Sequence, residues 1–237
     1  MKKFAIAALS LGLLSAWPVA QAAPVTVDAG NYLLSYEDTF LPGATVSVAG
    51  GVVTFGGLDY STFAIGGSIE LNGTMGSFDS YLGKPFPIVI TAKTGYTLSG
   101  LTEWLVGEHR SVAGDEQGAH AGAVAGLVSR WVTVNGTDPL GQNTPYQSLV
   151  LGSGQASAGA FNASGALTFS SSGPIGLAAL DLLVGAGAHG QGSASYVKVG
   201  QYQIGAQTTA VPEPQVLALV LAGLGVVGLR ARRHRAV

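Results

Sequence analysis

The sequence predicts a mainly β protein whose central part is an antiparallel β-sandwich, with the jelly roll as an allowed variant. Short segments in which apolar and polar residues alternate recur along the chain, and glycine-rich turns separate them. No internal repeat of fixed period is present, which argues against a propeller or a solenoid. The chain of 237 residues contains no cysteine, so a hydrophobic core rather than disulfides must stabilise the fold.

The N-terminal segment, residues 1–22, has the three parts of a secretory signal peptide. Lys2 and Lys3 provide the positive region, and an apolar stretch follows over residues 4–17. This stretch is too short to span a membrane, and Pro18 interrupts it. Small residues surround the predicted cleavage point: Ala20, Ala22 and Ala23. We therefore expect export by the Sec machinery and cleavage by signal peptidase after residue 22.

Residues 23–210 form the predicted extracytoplasmic β domain, which is long enough for a substantial core. Two alternating segments, 45–48 and 52–55, flank Gly50 and Gly51, a pattern that predicts a β-hairpin. Further strands are predicted at residues 87–91, 96–105, 146–151, 166–170, 180–184 and 195–204.

The alternation in the last predicted strand assigns its side chains to two faces of a sheet. Val197 and Val199 fall on one face, and Tyr196, Lys198 and Tyr202 fall on the other. Such a pattern is typical of a strand with one apolar face packed against the core.

The segment of residues 124–134 fits two kinds of secondary structure. Its apolar residues recur at helical spacing, but Gly122 and Gly126 weaken a helix. The β-branched and aromatic residues at 131–134 favour a strand that ends in a turn at 135–136. We predict a strand here.

The predicted β domain is acidic and sparsely charged. It contains five basic and twelve acidic residues, and its formal net charge is therefore −7. A nucleic-acid-binding protein needs a basic face, so this charge argues against nucleic acid as a partner. Small and hydroxyl-bearing residues dominate the domain, a composition that is compatible with a hydrated polysaccharide matrix.

One polar stretch, residues 107–120, is the main candidate for a site. We predict it to be a loop between two strands, and it contains His109, His120, Asp115 and Glu116. Histidine and carboxylate side chains act as metal ligands and as acid–base groups, so one interpretation is a small site of either kind. The histidine spacing matches no zinc-binding pattern, and the alternative interpretation is a solvated loop.

Other candidate residues can each be explained in two ways. Exposed Trp104 or Trp131 could stack on sugar rings, but burial in the core is the favoured explanation. Asp59, Asp79 and Asp138 could bind calcium between loops, although their spacing selects none of them.

Neither a Gly-x-Ser-x-Gly elbow nor a phosphate-binding loop with Gly-Lys-Ser or Gly-Lys-Thr occurs. We therefore predict no catalytic, metal or cofactor site and no enzymatic activity. The remaining enzyme alternative, a secreted hydrolase, would need a cleft with two carboxylates, one of them with a raised pKa.

The C-terminal residues 211–235 contain three parts in a fixed order. The first part is a motif with two prolines, Val211, Pro212, Glu213 and Pro214. Proline cannot continue a helix, so this motif is expected to be extended. The second part is an uncharged apolar segment, and we predict a single transmembrane helix at 215–229. The third part is a basic cluster of Arg230, Arg232, Arg233 and Arg235. Basic flanks stay in the cytoplasm, so the β domain is expected outside the inner membrane.

This three-part tail resembles the PEP-CTERM sorting signal, in which Pro-Glu-Pro precedes an apolar helix and a C-terminal arginine cluster. The resemblance covers residues 211–235 and all three parts match in order and spacing. It implies recognition by exosortase, a multi-pass inner-membrane enzyme, and an association with exopolysaccharide and with biofilm or floc matrix.

Together, these features predict an exported protein that passes through an inner-membrane intermediate, with its terminal arginines cytoplasmic. We expect it to reach the cell surface or the extracellular matrix and to have a structural or adhesive role there. A secreted carbohydrate-binding module is the main alternative, and exposed aromatic side chains along one face of a sheet would favour it.

Overall fold

The computed structural model describes residues 24–66, 69–70, 74–75, 86–134, 139–212, 219–222 and 224. Within these residues the chain is mainly β, as predicted, and the paired strands are antiparallel. The strands are β1 (Pro24–Asp28), β2 (Tyr32–Glu37), β3 (Thr45–Ala49), β4 (Val52–Ile65), β5 (Ile69–Glu70), β6 (Thr74–Met75), β7 (Ile88–Ala92), β8 (Tyr96–Val112), β9 (His120–Thr133), β10 (Pro139–Asn143), β11 (Tyr146–Gly152), β12 (Ala156–Ser171), β13 (Ile175–His189) and β14 (Ala194–Ala210).

The strands form two sheets. Counted over the described residues, the larger sheet has nine strands in the order β1-β2-β7-β13-β9-β10, with β11 also paired to β9 and with β5 and β6 paired to β13. The smaller sheet, within the same part of the chain, has five strands in the order β12-β8-β14-β4-β3. Contacts of β13 and β9 with β4, β8 and β14 join the two sheets, an arrangement consistent with a β-sandwich.

The hydrophobic core lies between the sheets and takes side chains from both. Leu34, Leu180 and Trp131 of the larger sheet are fully buried, as are Phe55 and Leu101 of the smaller one. Each such side chain contributes about 1.5–3 kcal/mol through its removal from water. The alternating apolar residues that predicted strands are therefore the residues that hold the two sheets together.

The predicted hairpin at Gly50 and Gly51 is confirmed. These residues connect β3 to β4, and Ala49 pairs with Val52. Their φ angles are +58° and +79°, which is the left-handed conformation that both central residues of a type I′ turn require. Glycine adopts it without the steric cost of a Cβ.

The prediction of a loop over residues 107–120 was wrong in part. Strand β8 continues to Val112 and β9 begins at His120, so the connection covers only residues 113–119. Strand β8 pairs with β12 on one side and β14 on the other along its whole polar end. Glu108 and Arg110 point outward from this end and remain exposed, so charged residues fit a central strand without burial.

The assignment of Tyr202 to the face of Tyr196 and Lys198 was also wrong. Tyr202 is buried, on the same side as Val197 and Val199. The register of β14 against β8 shifts between Val199 and Gln201, so one extra residue, Gly200, occupies the strand there. A β-bulge of this kind moves all following side chains to the opposite face.

The ambiguous segment at 124–134 forms a strand, as predicted, within β9. Strand β9 is central to the larger sheet because it pairs with β13 along one side and with β10 and β11 along the other. The predicted turn at 135–136 lies outside the described residues.

The end of the domain is marked by the end of β14 at Ala210. The next residue, Val211, donates its backbone N–H to the carbonyl oxygen of Gly95 at 2.8 Å, and Pro212 is exposed.

Residues 219–222 and 224 have helical backbone and exposed side chains. In the part of the chain that the structure describes, no helix has the length and apolar character needed to cross a bilayer. The predicted signal peptide with Ala20, Ala22 and Ala23, most of the predicted helix at 215–229, and Glu213, Pro214, Arg230, Arg232, Arg233 and Arg235 lie outside the described residues.

Candidate functional site

The structure does not bring the two histidines of the polar stretch together. His109 lies within β8, is half-buried, and places its Nε2 3.1 Å from the Oγ of Ser157 on β12. His120 lies at the start of β9 and is exposed. Its register partner is His189, the last residue of β13, and the two imidazole rings stack with centroids 4.9 Å apart. Sequence reasoning missed His189 because only the pairing of β9 with β13 makes it a neighbour of His120.

The acidic residues of the same stretch, Asp115 and Glu116, lie in the connection between β8 and β9. The Oε2 atom of Glu116 accepts the backbone N–H of Gln191 at 3.2 Å, and Asp115 is exposed. Among the residues that the structure describes, no group of three or more metal-ligating side chains is placed to hold a metal ion.

The aspartates considered for calcium do not form a site in the described residues. The Oδ1 atom of Asp59 lies 2.9 Å from the Nζ atom of Lys198, and both side chains are accessible to solvent. This hydrogen bond, together with the charge of Asp59, raises the pKa of Lys198. Asp79 and Asp138 lie outside the described residues.

The two tryptophans differ in burial. Trp131 is fully buried, so the prediction that it belongs to the core is confirmed. Trp104 is half-buried, and its ring lies so close to Gly205 that a Cβ there would come within 3.2 Å of the ring.

A buried carboxylate, that of Glu103 on β8, was not anticipated from the sequence. Its side chain is fully buried between the sheets. Its Oε2 atom accepts the hydroxyl of Ser129, the indole N–H of Trp131 at 3.3 Å and the side-chain amide of Asn143 at 2.9 Å. Its Oε1 atom accepts the hydroxyl of Tyr202.

The electrostatics of this cluster reflect its isolation from water. Burial raises the pKa of Glu103, and the four hydrogen bonds to the carboxylate oppose that rise. Burial and the neighbouring carboxylate raise the pKa of Tyr202 well above its ordinary value. The four partners of Glu103 come from β9, β10 and β14, so the cluster ties the two sheets together rather than lining a cleft.

An open groove lies on the outer face of the smaller sheet. One row of register partners crosses four strands there: Ala158 on β12, Arg110 on β8, Tyr196 on β14 and Phe63 on β4. Adjacent strands are spaced by about 4.8 Å, so this row is about 15 Å long. Phe63 is 54% exposed, Tyr196 is half-buried, and the groove encloses about 650 Å³.

The groove carries balanced charge. Glu108 lies two residues before Arg110 on β8, on the same face of the sheet. Its register partner on β14 is Lys198, which forms an ion pair with Asp59. Two cations and two carboxylates therefore border a surface that also presents two aromatic rings. Small side chains of β12, Ala158 and Ala160, line its other side and leave the space above them open.

No family model matches, and no curated protein matches. One solved structure, described as "Structure of infectious bursal disease virus Gx strain", is similar at 14% identity over 75% of this chain and half of that chain, with a TM-score of 0.18. A superposition of this quality carries no conclusion about fold or function.

Proposed function

We propose that this chain is an exported protein, sorted by exosortase through its C-terminal tail to the cell surface or exopolysaccharide matrix, where it has a structural or adhesive role. The observation that carries the proposal is the three-part tail: Val211 to Pro214, the apolar segment and the arginine cluster stand in order at the C-terminus. No catalytic role is included in the proposal.

The exposure of the apolar tail supports this proposal. Four large aliphatic side chains are more than half exposed: Leu219, Val220, Leu221 and Leu224. Each would gain about 1.5–3 kcal/mol on burial, so an apolar surface of this kind needs a partner. The hydrocarbon core of a bilayer is a suitable partner, and the arginines that follow can extend to the cytoplasmic interface.

The position of the motif relative to β14 also favours processing there. Strand β14 is complete at Ala210, and among the described residues Val211 is the last whose backbone N–H bonds to the domain, at the carbonyl oxygen of Gly95. Hydrolysis or transfer after Val211 would therefore leave both sheets intact. A signal peptide at 1–22 and a transmembrane helix at 215–229 complete the proposed topology, with the β domain outside the membrane.

The jelly roll is the variant of the sandwich that we favour. The chain passes from one sheet to the other after β2, β4, β7, β8, β11, β12 and β13. Such repeated crossing fits Greek-key connections better than a meander within one sheet.

Removal of the tail is expected to prevent retention at the surface. A chain that ends at Ala210 keeps all of β14, so it should fold and be exported, but it should accumulate in the periplasm or medium because it lacks the membrane segment. Cell fractionation with immunodetection would measure the distribution. A second variant replaces the four tail arginines by alanine at unchanged chain length, and it should also lose surface retention because the basic flank that orients the membrane segment is gone. Equal surface amounts of the truncated and complete chains would contradict the proposal.

A second candidate function is glycan binding through the groove on the smaller sheet. Tyr196 and Phe63 offer aromatic faces on which the apolar face of a sugar ring can stack. Arg110 can donate to sugar hydroxyls and Glu108 can accept from them. Because the bordering charges balance, we expect a neutral glycan rather than an acidic one.

The glycan proposal predicts that Tyr196→Ala weakens binding about tenfold, or about 1.4 kcal/mol, because it removes one stacking face. Binding would be measured by glycan array and by titration with the best neutral oligosaccharide. Tyr146→Ala is the control, because Tyr146 is 58% exposed but lies on the other sheet. Equal losses in the two variants, or an array without any neutral ligand, would argue against this candidate.

A further inference from the structure

We propose that His120 and His189 form a two-histidine site for a divalent transition-metal ion, with Cu²⁺ as the preferred ion. The two residues are register partners on β9 and β13, so their Cβ atoms leave the same face of the larger sheet. Both side chains are exposed, and the rings stack at a centroid distance of 4.9 Å and an interplanar angle of 24°.

The tautomer of His120 suits it as a ligand. Its Nδ1 atom lies 3.1 Å from the carbonyl oxygen of Gly118, and a carbonyl can only accept, so Nδ1 carries the proton. The Nε2 atom then keeps its lone pair free for a metal. Proteins usually orient a metal-binding histidine in this way: the ring nitrogen that does not bind the metal donates its N–H to a carboxylate or a backbone carbonyl.

The connection that carries Gly118 is held in place by its own hydrogen bonds. The Oγ atom of Ser153 donates to the carbonyl oxygen of Glu116 at 2.7 Å and lies 3.2 Å from that of Ala119. The backbone N–H of Ala119 donates to the carbonyl oxygen of Glu116 at 3.0 Å. His120 is therefore oriented by an ordered turn before any metal binds, which lowers the cost of binding.

The surroundings leave room for a metal and its water ligands. The other register neighbour of His120 is Gly152, and the next positions on the same face, one step further into β9 and β13, are Gly122 and Gly187, which are themselves register partners. None of these residues has a side chain that could cover the rings. The χ2 torsion of histidine has broad minima, so the His189 ring can turn its Nε2 atom toward an ion that the oriented His120 holds.

The choice of ion follows from the ligands. Two neutral imidazoles with water in the remaining positions form a nitrogen and oxygen site, to which imidazole-binding ions such as Cu²⁺, Zn²⁺ and Ni²⁺ are suited. Affinity in such sites rises along the first-row series to a maximum at Cu²⁺. Mg²⁺ and Ca²⁺ prefer oxygen ligands and are not expected to bind.

The test is a titration of the purified complete chain with Cu²⁺, followed by calorimetry and by electron paramagnetic resonance. We expect one equivalent of Cu²⁺ bound through two nitrogen ligands. Loss of a residue that only hydrogen-bonds to a metal ligand typically lowers metal affinity about 10- to 100-fold. Loss of a ligand itself, in His120→Ala or His189→Ala, should therefore lower the Cu²⁺ affinity by at least about tenfold. His109→Ala is the matched control and should bind as the unsubstituted chain does, because His109 bonds to Ser157 within the smaller sheet.

The outcomes are distinct because both histidines are exposed, so their replacement should leave the circular dichroism spectrum unchanged. Unchanged Cu²⁺ affinity in both His120→Ala and His189→Ala would overturn the proposal. So would an equal loss of affinity in His109→Ala, or a resonance spectrum with a single nitrogen ligand.

Discussion

Replacement of Glu103 by alanine is expected to destabilise the β domain by about 4 kcal/mol, the largest effect that we predict for a single substitution. Four side-chain donors would lose a hydrogen bond at once: Ser129, Trp131, Asn143 and Tyr202, of which Asn143 keeps its second bond, to the carbonyl oxygen of Gly165. Each buried donor without a partner costs about 1–3 kcal/mol, and the removed side chain leaves a cavity as well. Relief of the buried carboxylate's desolvation offsets only part of this sum.

The measurement is urea denaturation followed by tryptophan fluorescence, because Trp131 belongs to the cluster. Glu108→Ala is the matched control, since Glu108 lies on the same strand but is exposed, and it should change the free energy of unfolding by less than about 0.5 kcal/mol. Similar free energies of unfolding for the two variants would show that the Glu103 cluster does not stabilise the fold as its hydrogen bonds indicate.

Replacement of Gly107 by alanine is expected to cost about 3 kcal/mol, the second largest effect. A Cβ at this position would lie 2.5 Å from the Cζ atom of Phe161 and closer still to the carbonyl oxygen of Lys198. Gly107 pairs with Phe161 on β12 and with Val199 on β14, so neither neighbour can withdraw without breaking the pairing of a central strand. Backbone movement in the middle of the smaller sheet is the expected response.

Gly159→Ala supplies the control for this prediction. Gly159 lies on β12, two residues before Phe161, and a Cβ there would meet nothing within 4 Å. Alanine reduces the freedom of the unfolded chain relative to glycine, so this variant should be unchanged or more stable by about 0.5 kcal/mol. Thermal and urea denaturation of both variants would be compared. A Gly107→Ala protein as stable as Gly159→Ala would contradict the close packing of Phe161 over β8.

Local sequence patterns predicted the fold class because they reflect local physics. The hairpin at Gly50 and Gly51 follows from the φ angles that only glycine adopts easily. The strand in β9 follows from β-branched and aromatic residues at its end. The extension of β8 to Val112 was missed because pairing with two neighbours, rather than residue preference, keeps its polar end in the sheet.

The candidate sites were harder to predict because they join residues that are distant in sequence. Glu103 and Tyr202 are 99 residues apart, and nothing near Glu103 in the chain indicates that it is buried. Tyr202 reaches it only because the bulge at Gly200 turns it inward. His189 lies at the end of an apolar strand, and the row from Ala158 to Phe63 forms only through the register of four strands. Strand register depends on how several strands pair across the sheet, so the local pattern of one segment does not show which residues become partners.

We propose that residues 211–235 act as a removable sorting signal attached to an independently folded β domain. Mass spectrometry of the protein taken from the cell surface tests it most directly, since it identifies both mature termini. We expect an N-terminus at Ala23 and a C-terminus within or shortly after Val211 to Pro214, with the arginine cluster removed. Surface molecules that all retain Arg235 would contradict it.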